Sequence, residues 1–366
     1  MVSVQEIASF LENYFPKKLS YDWDNVGLQV GSFSAKVDSV LICVDVTEDV
    51  LNEAKELGVR LIISHHPLIF QGLKSIKDDT PEGRLIIDAI KSDIAILSFH
   101  TNTDVSKHGI NFYLAKLLDL ENVEGLSVKQ KSGYFKIVVY VPSDYKDEVL
   151  EAMAQEGAGF IGKYSHCFFA VEGQGHFKPH EGANPFIGKI GELEKVKEVR
   201  LESIVSEDKL KNVIKAMLKA HPYEEVAYDI YRLENEISYE CIGVIGGKNI
   251  EAENLIQELK EKLYLSFVKA SLVKNQFKKI AIVSGSGKDF IKDAYFKGAD
   301  CLISGEIGHH GVLLARSLGI STIEIGHYES EKAFVDIVFD LFDKFEKKNK
   351  LKIYKSQVNT SYTKIY

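Results

Sequence analysis

Cysteine, proline and tryptophan are scarce in this chain of 366 residues, which contains four cysteines, seven prolines and a single tryptophan. The cysteines stand far apart and show no Cys-x-x-Cys spacing, so a disulfide framework is excluded and each thiol is expected in a buried strand. A reducing, cytoplasmic compartment is therefore expected. With 45% apolar and 27% charged residues, the composition also excludes collagen-like and disordered classes. The cysteines are Cys43, Cys167, Cys241 and Cys301.

The chain also lacks a long uncharged apolar run, and no segment approaches the roughly 18 residues that a membrane-spanning helix needs. Residues 1–20 carry Glu6 and Glu12 among apolar residues, a pattern typical of an amphipathic helix and not of a secretion signal. Lys and Arg number 45 against 53 Asp and Glu, and the net charge of −8 disfavours non-specific adhesion to nucleic acid or anionic membrane. At about 150 residues per domain, two or three domains are expected.

Both outer thirds of the chain repeat one pattern, in which a short β-branched apolar run precedes a polar turn and a segment of helical period. Continuous apolar runs between helices are typical of parallel strands that are buried on both faces. We therefore predict an α/β core of two halves with mostly parallel strands. The predicted strands are 39–46, 59–64 and 94–99 in the first half and 279–284, 300–304 and 321–325 in the second, where a long helix runs from Ser330 to about Lys347.

The middle third has a different order of elements. Between Tyr134 and Leu233, the pattern is strand, helix, strand, strand, helix, strand. This β-α-β-β-α-β order predicts a complete ferredoxin-like α+β domain that interrupts the core. The predicted limits are 1–127 for the first half of the core, 128–238 for the insert and 239–366 for the second half.

Histidine and carboxylate side chains collect at the predicted carboxyl ends of the core strands. His65 and His66 follow the second strand, Asp104 follows the third, and His327 and Glu331 follow the last. In an open α/β sheet that edge forms the ligand crevice, so we expect these segments to converge there. Imidazole and carboxylate together suit Zn, Mn, Fe, Co or Ni. The five residues therefore predict a transition-metal site.

The spacing within each cluster indicates how the residues can bind. His327 and Glu331 are four positions apart and can share one face of a helical turn. The adjacent His65 and His66 point oppositely in a regular strand, but at a turn they can diverge toward two ions. A single histidine after a strand is more often a hydrogen-bonded loop residue. For His100 and His108 we keep that interpretation, or a role in orienting a ligand.

Five segments of the outer thirds together resemble the Nif-three-like family, which is also labelled GTP cyclohydrolase I type-II homologues. They are DWDNVGLQVG (22–31), SHHPLIF (64–70), HTNTD (100–104), GEIGHH (305–310) and GHYESE (326–331). The resemblance implies a two-metal site on the five predicted ligands and a ring-like homohexamer. For long members of the family it implies an insert similar to the PII and CutA folds, which matches the middle third.

The leading hypothesis is a protein that holds two divalent metal ions per subunit and hydrolyses a small phosphorylated or nucleotide-like substrate. Glu331 is expected to bridge the ions, with His66 and Asp104 on one ion and His65 and His327 on the other. The alternative is a non-catalytic metal-binding regulatory or scaffold protein whose insert senses a small molecule or a partner. DNA binding through the interior of the ring is a third hypothesis.

Other motifs carry weaker signals. His310, outside the metal set, is a candidate for proton transfer or for a supporting role. The turn 284–288 (SGSGK) is not a Walker loop, because Ile282 and Asp289 replace required residues, but its backbone N–H groups are a candidate anion site. The lysine-rich segment 344–355 is interpreted as a solvated helix end, with nucleic-acid contact as the alternative. At 221–225 (HPYEE), Pro222 predicts a helix stop, with a ligand or interface role as the alternative.

Overall fold

The computed structural model describes residues 1–234 and 238–361, which form two compact units. Unit 1 comprises Met1–Gln130 and Glu240–Tyr366, and unit 2 comprises Lys131–Tyr239. Residues 362–366 of the predicted second half lie outside the described residues. Within the described part of the chain, no helix is both long and apolar enough to cross a membrane.

Strands and helices alternate along most of the chain. The strands are β1 (Val2–Ser3), β2 (Gly27–Val30), β3 (Lys36–Val37), β4 (Ser39–Cys43), β5 (Leu61–Ser64), β6 (Ala95–Ser98), β7 (Glu121–Ser132), β8 (Tyr134–Pro142), β9 (Phe168–Phe177), β10 (Glu194–Ser206), β11 (Tyr228–Arg232), β12 (Ser238–Glu251), β13 (Lys269–Ser271), β14 (Gln276–Ser286), β15 (Cys301–Glu306), β16 (Ser321–Glu324) and β17 (Lys352–Lys355). The α-helices are α1 (Val4–Glu12), α2 (Glu48–Glu56), α3 (Pro81–Lys91), α4 (Thr101–Val105), α5 (Ile110–Leu117), α6 (Lys146–Gln155), α7 (Leu210–Ala220), α8 (Ala252–Lys262), α9 (Ile291–Phe296), α10 (Gly308–Ser317), α11 (His327–Glu331) and α12 (Ala333–Leu341).

The first sheet of unit 1 contains the strands predicted from the first third of the chain. Its order is β17-β4-β5-β6-β2, and only the edge pair β2 and β6 is antiparallel. Every residue of β4, β5 and β6 is buried. Alternate side chains enter opposite core clusters, with Ile42 and Ile63 on one face and Leu41 and Ile62 on the other. Burial of each such side chain contributes about 1.5–3 kcal/mol.

The second sheet of unit 1 has the order β13-β16-β15-β14-β12-β7. The pairs β14–β15 and β15–β16 are parallel, whereas β13–β16 and β12–β14 are antiparallel. The prediction of mostly parallel strands therefore fits the first sheet, while the second is mixed. The sequence pattern missed β12 because Gly246 and Gly247 interrupt its apolar run. A shared core with Ile42, Ile280 and Phe334 joins the halves.

The C-terminal part of unit 1 differs from the prediction. Helix α11 already begins at His327 and ends at Glu331, and α12 ends at Leu341, so one continuous helix from Ser330 to Lys347 is wrong. The interpretation of the lysine-rich segment 344–355 as a helix end holds only at its start, because Lys344 ends the helical turn that follows α12. Its last four residues form β17, which pairs in parallel with β4. Ile353 and Tyr354 are half-buried on this strand. This segment forms a strand because it covers the edge of β4 that faces away from β5. A local sequence pattern does not reveal such an edge.

Unit 2 has the element order strand, helix, strand, strand, helix, strand. Its sheet is antiparallel with the order β11-β8-β10-β9, and side chains of α6 and α7 join the buried cluster on one face of it. His221 directly follows α7, so the predicted helix stop is confirmed. Its Nδ1 accepts the N–H of Tyr223 at 3.1 Å, and its Nε2 donates to the carbonyl of Tyr140 at 3.0 Å. Burial lowers the pKa of His221.

Candidate metal centre

The predicted site residues follow the carboxyl ends of strands in both sheets of unit 1. His65 and His66 come directly after β5, and His100 and Asp104 lie at and within α4, which follows β6. On the other half, α11 carries His327 and Glu331 after β16. The turn after β5 is held by the hydroxyl of Ser64, which donates to the carbonyl of His66 at 2.8 Å. The strand edges therefore bring these distant segments to one place.

Glu331 lies at the centre of the cluster. Its Oε1 is 3.7 Å from His65 Nε2 and 3.2 Å from His327 Nε2, and its Oε2 is 3.1 Å from His66 Nε2. The side chain of Glu331 is only 4% exposed and that of His65 is 0% exposed, whereas His327 is 40% exposed. One carboxylate thus faces three imidazoles in a site that is closed on the His65 side and open on the His327 side.

Each imidazole of the cluster is oriented through its other ring nitrogen. The Nδ1 of His65 is 3.0 Å from the carbonyl of Phe99, and the Nδ1 of His66 is 2.7 Å from Asp45 Oδ1. His327 Nδ1 lies 3.3 Å from Glu306 Oε1. When the single proton of each neutral ring is on Nδ1, its Nε2 lone pair is directed at the shared centre, which is the arrangement that metal-binding histidines adopt.

Two atoms of the cluster remain unpartnered in the described part of the chain. His65 Nε2 and Glu331 Oε2 are buried and have no hydrogen-bond partner. Glu331 Oε2 lies 3.1 Å from His66 Nε2, but with the His66 proton on Nδ1 this contact joins two acceptors. Buried polar atoms are normally satisfied, so these two are suited to a ligand at the centre. A divalent cation fits, because nitrogen lone pairs and a carboxylate are the donors that Zn, Mn, Fe, Co and Ni accept. Two groups of three have donor atoms within 4.8 Å of one another: His65, His66 and His100, and His66, His327 and Glu331.

The charged groups of the cluster shift one another's pKa values. Burial alone would lower the pKa of His66, but its contacts with the carboxylates of Asp45 and Glu331 raise that pKa to about 10. Contact with Glu331 raises the pKa of His327 to about 9. Burial opposes ionisation of Glu331, yet the facing His327, His65 and His66 hold its pKa well below the usual range. Glu331 is therefore an anion, and positive charge is favoured at the centre.

Asp104 is buried and attached to the second half of the core. Its Oδ1 accepts the hydroxyl hydrogen bond of Ser284 at 2.9 Å, and its backbone carbonyl accepts the side-chain amide of Asn111 at 2.9 Å. The Oδ1 of Asn111 in turn accepts the N–H of Ser284 at 2.8 Å. Burial raises the pKa of Asp104, which nearby His65 partly offsets. These bonds hold the end of β14 against α4.

Gly285 leaves the space that the central carboxylate occupies. Its φ is +61°, and a Cβ built on it would lie 2.5 Å from Glu331 Oε1. Its N–H donates to Ser330 Oγ at 2.9 Å, while the N–H groups of Ser284 and Gly287 bond to Asn111 and Glu306. These three N–H groups are therefore already hydrogen-bonded, and the anion site predicted for the turn 284–288 cannot use them.

A polar cavity of about 350 Å³ opens beside His66 and His327. Asp45, Glu306, Glu324 and Glu329 line it, together with Lys269. The wall is thus predominantly acidic, which favours cations over bare anions at this opening unless a bound cation reverses the local charge.

The structure groups the predicted residues differently from the sequence-based expectation. His66 groups with His327 and not with Asp104, which is in neither group of three. His100, which was expected in a loop or orienting role, is in the group with His65 and His66. The signal available in the sequence was its position just after β6, at the same sheet edge as His65 and His66. His310 lies exposed on the first turn of α10, with its ring 5.5 Å from that of His309, and its role stays a prediction.

The chain matches the model of the family described as Duf34/NIF3 (NGG1p interacting factor 3) over residues 2–361. The chain belongs to the Duf34/NIF3 family. A GTP cyclohydrolase 1 type 2 homolog of Bacillus subtilis (strain 168) is 42% identical to this NIF3-family chain over 332 residues, which cover 89% of the chain and 88% of that relative. A relative of the same name from Halalkalibacterium halodurans is 38% identical and covers 97% of both.

Solved structures of NIF3-related proteins extend over the whole chain. A Bacillus cereus protein related to NIF3 superposes with a TM-score of 0.83 at 39% identity, covering 100% of this NIF3-family chain and 99% of its own. A Staphylococcus aureus protein superposes with a TM-score of 0.82 at 30% identity, with the same coverage. The mixed α/β architecture with several sheets is thus the NIF3 architecture.

Proposed function

We propose that the chain binds two divalent transition-metal ions and hydrolyses a small phosphorylated or nucleotide-like substrate. His65, His66, Asp104, His327 and Glu331 would hold the ions, with Glu331 shared between them. Two bound ions would lower the pKa of a water molecule and stabilise an anionic transition state.

The side chains around the proposed ligands have distinct tasks. Glu331 and Asp104 would supply negative charge opposite the cations, and the burial of Glu331 keeps water from competing for it. Asp45 and the carbonyl of Phe99 hold the Nδ1 protons of His66 and His65, which fixes the direction of each Nε2. The exposed side of His327 provides the approach for a substrate. His310 is proposed as a proton-transfer or supporting group.

The observation that carries the metal proposal is the pair of unsatisfied buried atoms, His65 Nε2 and Glu331 Oε2, at the point where the imidazoles meet. A cluster that was only structural would pair these atoms with donors or acceptors of the protein. Imidazole nitrogens that face a carboxylate, each with its other nitrogen already engaged, are instead suited to a cation.

The test compares metal content and turnover in matched variants. The purified protein is expected to contain about two equivalents of a divalent metal and to hydrolyse at least one member of a phosphoester and nucleotide panel. His66→Ala and Glu331→Ala should lose metal and activity together, while His166→Ala, an exposed histidine of unit 2, should lose neither. Equal background turnover in all proteins would eliminate the hydrolase proposal. Metal retained by both ligand variants would eliminate the metal proposal.

A cavity in unit 2 favours a second candidate function, in which the chain is a metal-binding regulatory protein whose insert senses a small molecule. The cavity has a volume of about 500 Å³, within the range of ligand pockets. Phe177, Phe186 and Tyr223 line it, with ring centroids 5.7 and 6.5 Å apart around Tyr223. This candidate predicts metal binding without turnover, and a metabolite screen by thermal shift of the full chain tests it.

Three further proposals concern the insert, the assembly and the compartment. The insert is proposed to be PII/CutA-like, which its element order and strand order support. The chain is proposed to form a homohexamer in the cytoplasm. Light scattering tests the assembly, and a mass of one or two chains would eliminate it. Binding to nucleic acid, the remaining partner hypothesis, predicts an affinity that falls steeply with salt.

A further inference from the structure

Two large aromatic side chains are exposed beside the metal centre. Trp23, the single tryptophan of the chain, is 58% exposed, and Phe70 is 47% exposed. Their ring centroids are 5.8 Å apart with an interplanar angle of 52°. We call this pair the aromatic platform. Other aromatic side chains of unit 1, such as Phe296, are also exposed. What distinguishes Trp23 and Phe70 is that their rings lie 6.2 and 6.3 Å from that of His100, beside the proposed metal centre.

The platform is held in place by the surrounding loops. Tyr21 stacks on the indole of Trp23 at 5.5 Å with an angle of 14°, which restrains the ring while the residue stays 58% exposed. The side-chain amide of Asn25 donates to the carbonyl of Ile69 at 2.6 Å, which ties the loop before Phe70 to the loop that carries Trp23. Hydrogen bonds and ring stacking therefore hold the two rings in place, and their exposure is not accidental.

His100 connects the platform to the metal centre. Its ring centroid is 6.2 Å from Trp23 and 6.3 Å from Phe70 on one side, and 5.2 Å from His65 and 5.3 Å from His66 on the other. Its Nδ1 lies 2.8 Å from Asp24 Oδ1. Asp24 also accepts the N–H of Thr101 at 3.1 Å. The residue next to Trp23 thus fixes the platform to the start of α4.

We propose that the aromatic platform binds the flat ring of a nucleobase, so that the substrate of the metal centre is a nucleotide. A base that stacks on Trp23 and Phe70 extends its sugar and phosphate past His100 toward His66 and His327. Stacking on an aromatic side chain needs only a π-face, which every base has, and an acyclic or sugar phosphate lacks it. This inference rests on the proposed function for the reaction at the phosphate end, but not for the binding of the base.

The experiment uses Trp23 as its own reporter, because the fluorescence of tryptophan in this protein comes from that residue alone. Guanosine 5′-monophosphate and guanosine are titrated against ribose 5-phosphate, with the as-purified protein and again after chelation of metal. We expect saturable quenching by the nucleotide and the nucleoside and none by ribose 5-phosphate. Phe70→Ala should weaken the nucleotide affinity about 5- to 150-fold. Phe296→Ala, which removes an 80% exposed phenylalanine elsewhere in unit 1, should leave it unchanged.

Several results would overturn the platform. They are equal quenching by ribose 5-phosphate, no quenching by guanosine, and an unchanged affinity in Phe70→Ala. Emission that acrylamide cannot quench would also overturn it, because another copy of the chain would then cover Trp23. Failure of the proposed function gives a different pattern, in which the base still binds after chelation but no phosphoester is hydrolysed. Equal rates of hydrolysis for phosphoesters with and without a base would overturn the platform and leave the proposed function intact.

Discussion

Replacing Gly285 by alanine tests whether the central carboxylate must stay where the structure places it. The substitution changes no proposed ligand and adds one methyl group. A Cβ at this position would lie 2.5 Å from Glu331 Oε1, whereas His327 Nε2, at 3.5 Å, is at an ordinary contact distance. The added atom therefore acts on the carboxylate and not on the imidazole.

Two effects set the expected size of the change. Alanine at a φ of +61° costs roughly 1–2 kcal/mol of stability, because a Cβ is strained in the left-handed region. The carboxylate must also retreat by about 0.9 Å to reach the ordinary distance of 3.4 Å. Since metal–ligand distances are fixed to within about 0.2 Å, we expect metal affinity to fall by at least about 10- to 100-fold, as when an orienting contact is lost.

The assay is a competition titration of Zn²⁺ or Mn²⁺ against a chelating dye, together with thermal unfolding of the chelated protein. Gly298→Ala is the matched control, because Gly298 has a φ of +75° but nothing within 4 Å of its added Cβ. It should lose similar stability and keep its metal affinity. Metal affinity in Gly285→Ala equal to that in Gly298→Ala would refute the central position of Glu331.

Three further perturbations follow from the contacts. Ser284→Ala removes the hydroxyl donor of buried Asp104, and urea unfolding should show a loss of about 1–3 kcal/mol. Asp45→Asn weakens the hold on His66 Nδ1, and chelator competition should show roughly 10- to 100-fold weaker metal binding. For His221, the folded pKa is lowered below 6.5, so the unfolded chain binds more protons. Its stabilising contribution should be complete above pH 6.5 and decrease as pH falls toward the folded pKa, which urea unfolding from about pH 7.5 to about pH 5.5 measures.

Each of these perturbations has a control in the same chain. Ser317→Ala removes an exposed hydroxyl and should change stability by less than about 0.5 kcal/mol; equal losses in both serine variants would contradict the role of Ser284. Asp343→Asn alters an exposed ion pair and should keep metal affinity; unchanged affinity in Asp45→Asn would show that His66 needs no such partner. His221→Gln should have a shallower pH dependence than the natural chain, and identical slopes would assign the titration to another group.

Much of the site was accessible from the sequence because strand ends are easy to locate. Short apolar runs predicted β4, β5 and β6, and parallel strands place their carboxyl ends at one edge. His65, His66 and Glu331 therefore could be expected together, and the four-residue spacing of His327 and Glu331 correctly indicated a shared helical face. The halves are far apart in the chain, yet sheet geometry makes their meeting predictable.

What the sequence did not reveal depends on tertiary contacts. The membership of His100 in a donor group depends on Asp24, which lies 76 positions earlier and orients the ring. The strand β17 pairs with the edge of β4 that faces away from β5. The sequence did not predict this strand, because lysines surround its apolar residues. Likewise, the contacts of Trp23 with Tyr21 and Phe70 join three side chains from two loops, which composition alone does not predict.

The bond network of Ser284 with Asp104 and Asn111 imposes an order on biosynthesis. Residues 131–239 of unit 2 leave the ribosome between the two halves of unit 1, so a nascent chain presents His65 and His66 long before Glu331 exists. Until then neither imidazole has the carboxylate of Glu331 to face, although His66 already has that of Asp45, and Asp104 lacks the hydroxyl of Ser284. Loading of the proposed cation at this centre would therefore be a late event in maturation, after translation has passed residue 331.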